Sequence, residues 1–249
     1  MVLSRHLSIA TLSTLLFGSL GCAPGNPGLD IIGDILPNDM CIVDPATLIL
    51  VGAATFDLDS TFGPPSYSVS FAVQNHLINR FSTSFPVMAD ANRISITSAE
   101  VELVDRNNRR LAITNSLYRV PAGGSIPSSL GDQPGRGVAQ ATIIPPNVAL
   151  QLVSAFENVP AGSGSVTARV SVIGVSQGGS EVISNDFVIP ISLCVGCLYS
   201  GGIPPDDAPA VCSPGQNRTL FVPGYIAPIA CETGDDCASA LCSLGRCAP

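Results

Sequence analysis

The chain has 249 residues, in which 19 acidic side chains face 11 basic ones, for a formal net charge of −8. That balance excludes a nucleic-acid binder, which needs a basic footprint to displace counterions, and excludes electrostatic docking on anionic lipid. With 46% hydrophobic and only 12% charged residues, it is a foldable chain and not a disordered acidic tail.

The first stretch reads as an export signal. Arg5 and His6 give a short positive start, Leu7 to Leu20 is an apolar run softened by Ser and Thr, and small Gly21 precedes Cys22. As a helix the run crosses about two thirds of a ~30 Å hydrocarbon core, so a permanent span, an uncleaved anchor, is the weaker reading. Ser19-Leu20-Gly21-Cys22 resembles the lipobox of bacterial lipoproteins, with Ser19 where the family usually has Leu. The resemblance implies removal of residues 1–21, lipid attachment at Cys22 and membrane anchoring through the acyl chains. Ala23 in place of Asp implies, by the family's sorting pattern, the outer membrane. Conventional cleavage after Ala23 is the alternative. It would leave Pro24 just past the cut and give a secreted, soluble protein.

Residues 22–40 carry Pro24, Gly25, Pro27, Gly28, Gly33 and Pro37, which predicts a flexible tether. Thr47 to Leu58 is apolar on both faces and reads as a central strand. Tyr67, Val69, Phe71 and Val73 alternate with Ser68, Ser70, Ala72 and Gln74, a half-buried strand. Ile94 and Ile96 share one parity and Ala99, Val101 and Leu103 the other, which predicts a bulge near Ser98. Asp105 to Asn108 turns the chain into a strand over Leu111 to Leu117. Arg106, Arg109 and Arg110 belong to that solvated turn, since no aromatic residues interleave with them.

Gly123 to Gly137 is rich in Gly, Pro and Ser and reads as a surface loop. Val138 to Ile144 is a strand. Pro146 to Phe156 has Val148, Leu152, Val153 and Phe156 on one helical face behind an N-terminal Pro, with a strand as the alternative. Ser165 to Ser176 and Val182 to Cys194 are strands joined by a hairpin at Gly178-Gly179, and Pro190 suggests that the last has a free edge.

The expected fold is therefore mainly β: an antiparallel β-sandwich of about seven strands with at most one short helix over residues 41–197, then a small disulfide-rich segment over 198–249. The layout resembles immunoglobulin and fibronectin type III sandwiches in architecture, without their Trp or interior Cys pair. In an exported chain Cys41, Cys194, Cys197, Cys212, Cys231, Cys237, Cys242 and Cys247 read as disulfides. A bridge from Cys41 to Cys194 or to Cys197 would bracket the sandwich. Cys231 to Cys247 resembles the small cysteine knots that end many secreted proteins of GC-rich bacteria, which implies export and no activity.

Gly174-Val175-Ser176-Gln177-Gly178 matches a hydrolase nucleophile elbow, but it leads into Gly-Gly and a strand, and no histidine follows. His76 reads as a surface residue at a strand end. Cys194-Val195-Gly196-Cys197 has the spacing of a redox or zinc half-site without a second pair or a βαβ setting, and so reads as a structural disulfide. Asp57, Asp59, Thr61 and Gly63 start like a calcium loop, with Ser68 where the closing Glu belongs. Asp206-Asp207 and Asp235-Asp236 read as solvated turns. Asn217-Arg218-Thr219 is a glycosylation triplet, read as a chance match.

These features predict a non-enzymatic, lipid-anchored cell-envelope protein with a binding, adhesion or assembly role. It needs no cofactor or metal, and its partners are the membrane and an envelope protein or polysaccharide. A carbohydrate-active or other hydrolase domain on the same scaffold is the competing expectation, and it would need paired carboxylates in a cleft.

Overall fold

The computed structural model describes residues 28–38, 40–46, 52–60, 63–78, 90–157, 159, 164–201, 212–213, 215–218, 220–222, 229–238 and 241–247. The signal-like stretch, Cys22, Thr61, Asp206, Asp207, Thr219 and residues 47–51 of the expected central strand lie outside them.

The fold is mainly β with a single α-helix among the described residues. Nine strands form one sheet: β1 (Leu29–Asp34), β2 (Ala54–Asp57), β3 (Tyr67–Asn75), β4 (Ile94–Val104), β5 (Leu117–Ile126), β6 (Gly135–Ile144), β7 (Ser165–Ser176), β8 (Glu181–Ile183) and β9 (Phe187–Cys194). Their order is β1-β3-β6-β5-β4-β7-β9-β2, with β8 beside β7. Every pair is antiparallel except β2 with β9. The chain returns from β2 to β9 only after six other strands, so no hairpin constrains their direction.

The sheet curls on itself. β2 and β3 lie near opposite ends of the hydrogen-bonded order, yet Phe56 and Tyr67 meet edge to face with centroids 5.6 Å apart. Phe71 of β3 likewise meets Phe187 of β9 at 6.1 Å. One continuous core results, to which β3 gives Tyr67, Val69, Phe71 and Val73, and β7 gives Val166, Ala168, Val170 and Val172. The two facing layers thus come from one curled, mixed sheet. Helix α1 (Pro146–Ala155) adds Val148, Ala149, Leu152 and Val153 to the same core. Pro146 occupies its first turn, where a missing N–H costs nothing.

Side chains seal both ends of the curl. Ile31 N donates to Asn185 Oδ1 at 2.7 Å while Asn185 Nδ2 donates to the Ile31 carbonyl at 3.3 Å. At the other seam Gly215 to Asn217 runs along β2, with Asp57 N donating to the Gly215 carbonyl and Asn217 N to the Thr55 carbonyl. The Gln216 amide then accepts from Ser68 N at 3.1 Å and donates to the Ser66 carbonyl at 2.7 Å. A side-chain amide thereby stands in for the backbone groups that a paired strand would otherwise supply.

Several expectations are met. The register of β4 shifts between Ile96 and Ser98 against both neighbours, the expected bulge. The β7 strand, the Gly178-Gly179 hairpin and the helix lie where the pattern placed them. Others are corrected. Leu29–Asp34 is a strand on β3 and not tether, because Leu29 and Ile31 are buried against the core. The folded unit thus begins well before Cys41. β2 is terminal in the sheet, not central; its two-sided burial comes from the curl and from Gln216. The strand expected at Leu111 starts only at Leu117, since Asp105 Oδ1 accepts from the backbone of Asn107 and Arg109 and prolongs the turn.

The expected Gly123 to Gly137 loop is shorter than its composition suggests: its first four residues belong to β5 and its last three to β6, and only residues 127–134 connect them. A Cβ at Gly124 would strike the Val138 carbonyl, and one at Gly137 would lie 2.8 Å from the Ile126 side chain. These glycines permit close backbone approach and do not mark a turn. Pro190 marks no free edge either: β9 lies between β7 and β2, and the proline falls one residue before β2 begins to pair at Ile191. The expected strand Val182 to Cys194 is broken at Ser184 to Asp186, where Ser184 Oγ accepts from Val172 N and Asn185 turns aside to β1.

All eight cysteines after Cys22 are bridged, but the anticipated Cys41 partner is wrong. The pairs are Cys41–Cys212, Cys194–Cys197, Cys231–Cys242 and Cys237–Cys247. Cys194 and Cys197 take each other across a tight turn, which leaves Cys41 to reach Cys212. After β9 come two short parallel strands, β10 (Tyr199–Gly201) and β11 (Leu220–Val222), and a hairpin of β12 (Cys242–Ser243) and β13 (Arg246–Cys247). The last hairpin is no loose appendage: Leu244 is 1% exposed and belongs to the main core.

Candidate functional site

The strap that follows β1 overhangs the outer face of the sheet and makes a groove. Ile35 N donates to the Ser70 carbonyl at 2.7 Å, and Asn38 folds the strap through an Asx turn, its Oδ1 accepting from Met40 N and Ile42 N. The Cys41–Cys212 bridge then ties the strap to the segment that seals β2. The groove, half open to solvent, has a volume of about 540 Å³ and is lined by Asp34, Val43, Ser68, Ser70, Pro121, Ala122, Gln140, Thr142, Gln216, Asn217 and Arg218 among others. This is the size range of small-molecule sites.

Its floor follows from strand alternation. Val69 and Ala141 point into the core, so Ser68, Ser70, Gln140 and Thr142 point outward. Ser68 stands opposite Thr142 and Ser70 opposite Gln140. The first two hydroxyls bond at 2.9 Å, and Gln140 Nε2 donates to Ser70 Oγ at 3.3 Å. Asn217 closes one end: its Oδ1 accepts from Thr55 N at 2.9 Å and its Nδ2 donates to the Tyr67 hydroxyl at 3.1 Å. With both ends of its amide engaged, Asn217 clasps the seam between β2 and β3.

Asp34, the last residue of β1, is the exception in this satisfied frame. It is 4% exposed, no described residue donates to its carboxyl, and its oxygens keep contact with the solvent of the groove. Burial pushes its pKa up to about 6 from 3.8. Burial also raises the Tyr67 hydroxyl, whose bond to Asn217 lowers it and whose neighbour Asp34 raises it further.

The Asp34 shift makes a prediction with a defined sign. Between pH 3.8 and about 6 the folded state holds the proton that the unfolded state has lost, so stability falls as pH rises through that window. Asp34→Asn removes the dependence. Its stability relative to the wild type should be greater at pH 7.5 than at pH 4 by on the order of 2 kcal/mol, measured as urea midpoints at both values. Parallel curves would show that the carboxyl has a partner.

The other sequence candidates do not assemble chemistry. His76 caps the end of β3 and pairs with Asp30 at 3.0 Å, while Ser176 Oγ accepts from Ser180 N in the β7–β8 hairpin, so no His–Ser pair forms between them. Asp57 is 1% exposed and accepts from Gly196 N and Leu198 N, each at 2.7 Å, and from Asp59 N at 3.0 Å. It pins the Cys194–Cys197 turn rather than opening a calcium loop. Burial raises its pKa, those bonds lower it, and the nearby Asp59 raises it.

Metal-capable side chains converge at Asp57/Cys194/Cys197 and at Cys231/Cys237/Cys247, and in both sets the sulfurs are spent in disulfides. Asp236 accepts from Glu232 N and Thr233 N, which lowers its pKa; it is a cap in a solvated turn. Arg109 and Arg110 are bound to Asp105 and Glu102. Among the described residues lining the groove, Asp34 is the single carboxylate.

Sequence reasoning missed Asp34, Gln216 and Asn217 as site residues. The parity shared by Leu29 and Ile31 was the one signal that could have placed Asp34 at a strand end. Comparison with protein-family models, with curated proteins and with solved structures returned no match to this chain.

Proposed function

We propose that the chain is a lipid-anchored cell-envelope protein of the outer membrane, held through Cys22, whose groove beneath the strap binds a small polar ligand without transforming it. The observation that carries the binding role is Asp34: its side chain is largely buried at the groove and no described residue partners its carboxyl, so a bound guest can supply the partner that the fold does not. A single carboxylate among the described residues of the groove favours binding over glycoside hydrolysis, which needs two. The lipobox-like Ser19 to Cys22 and the fully paired cysteines beyond it support export and anchoring.

The anchor is tested by the intact mass of the mature protein taken from its own membranes, with and without reduction and alkylation. The expected species starts at Cys22, carries acyl mass and takes up eight alkyl groups only after reduction. A lipid-free species starting at Pro24 would overturn the anchor and make this a soluble secreted protein.

A further inference from the structure

We infer that the guest of the groove carries a protonated amine, which seats on Asp34 while its aliphatic body lies against the strap. The inference rests on the binding role above and narrows its chemistry.

An ionised carboxylate offers about four acceptor sites and no donor. At Asp34 the described residues leave these sites without a hydrogen-bond donor or a counter-charge. A neutral sugar hydroxyl would supply one donor and leave the charge uncompensated. An ammonium group supplies three donors and the charge together, and a charge-assisted bond is roughly twice as strong as a neutral one. The walls agree. Leu36, Pro37, Val43, Pro121 and Ala122 are aliphatic, and among the described residues no Phe or Tyr lines the groove to stack on a sugar ring.

The charged and titratable neighbours are few. From β3 comes the Tyr67 hydroxyl, kept protonated by burial. From the sealing segment comes Arg218, which lines the cavity but contributes nothing to the Asp34 shift, whose cause is burial alone. The Cys41–Cys212 sulfurs do not titrate. Binding should therefore follow the ionised fraction of Asp34 itself.

The test is titration of the folded, oxidised protein with n-butylammonium chloride, and in parallel with glucose, followed by amide NMR shifts of Ser68, Ser70, Gln140 and Thr142. The expected result is saturable shifts with the ammonium probe, an affinity about tenfold weaker at pH 5 than at pH 7.5 because only the ionised carboxyl binds, and loss of the effect in Asp34→Asn. The pH series on the wild type stands by itself if that variant does not fold. Saturable binding of glucose with no ammonium response, or ammonium binding indifferent to pH and to Asp34→Asn, would overturn the amine inference while leaving a binding groove. Unmoved groove resonances with both probes would overturn the inference together with the binding role.

Discussion

Replacing Cys41 and Cys212 together with serine is expected to cost the protein up to about 5 kcal/mol, with a large fall in urea midpoint and a rise in the m-value as the denatured chain expands. The bridge spans 171 residues, from the strap after β1 to the segment that seals β2. On the chain-entropy account so long a closed loop restrains the unfolded state more than any of the other three bridges, whose separations are 3, 11 and 10 residues. The native state changes little, because the Asn38 turn and the Gln216 contacts hold both partners locally. A loss below 1 kcal/mol would show that residual structure already holds the unfolded ends together. The double variant avoids leaving one reactive thiol, and calorimetry should report the same loss.

Phe56→Ala should be the other severe substitution, at about 3 to 5 kcal/mol. Phe56 is 1% exposed on a four-residue strand whose sheet partner is β9 alone, and its ring holds Tyr67 across the seam. Truncation removes the transfer energy of the ring, opens a cavity that short β2 cannot close, and loosens Tyr67, to whose hydroxyl Asn217 is bonded. Val188→Ala is the control. Val188 is 53% exposed on the neighbouring strand β9, and its loss should stay within about 0.5 kcal/mol. Equal losses at the two positions would mean that the seam contributes no more than the outer surface.

The elements legible in the sequence are those whose signal is local. Strand β3 shows its alternation within nine residues, the β4 bulge shows as a change of parity, and α1 announces itself with Pro146 and one apolar face. What stayed hidden depends on partners distant in sequence. Gly124, Gly135 and Gly137 look like loop residues until Val138, Pro127 and Ile126 approach them. Asp34 lies in a Gly- and Pro-rich stretch that says tether, and becomes a strand end only because β3 is there to receive it. Gln216 and Asn217 carry no local signal at all; their partners Ser68, Tyr67 and Thr55 lie about 150 to 160 residues away and meet them only once the sheet has curled. The candidate site was unreadable for the same reason, since its lining comes from five separate stretches of chain.

The early start of β1 sets a short leash. From Cys22 to Leu29 there are seven residue steps, a contour of at most about 25 Å when fully drawn out. A protein lipidated at Cys22 therefore cannot hold its sheet far out from the bilayer or reach across an envelope layer. Such an anchor would keep the sheet close over the headgroups, with the groove beside β1, the described strand nearest to Cys22 in the sequence. If the anchor and the binding role both hold, a guest would have to diffuse down to that layer, which directs the search to molecules concentrated at the membrane surface.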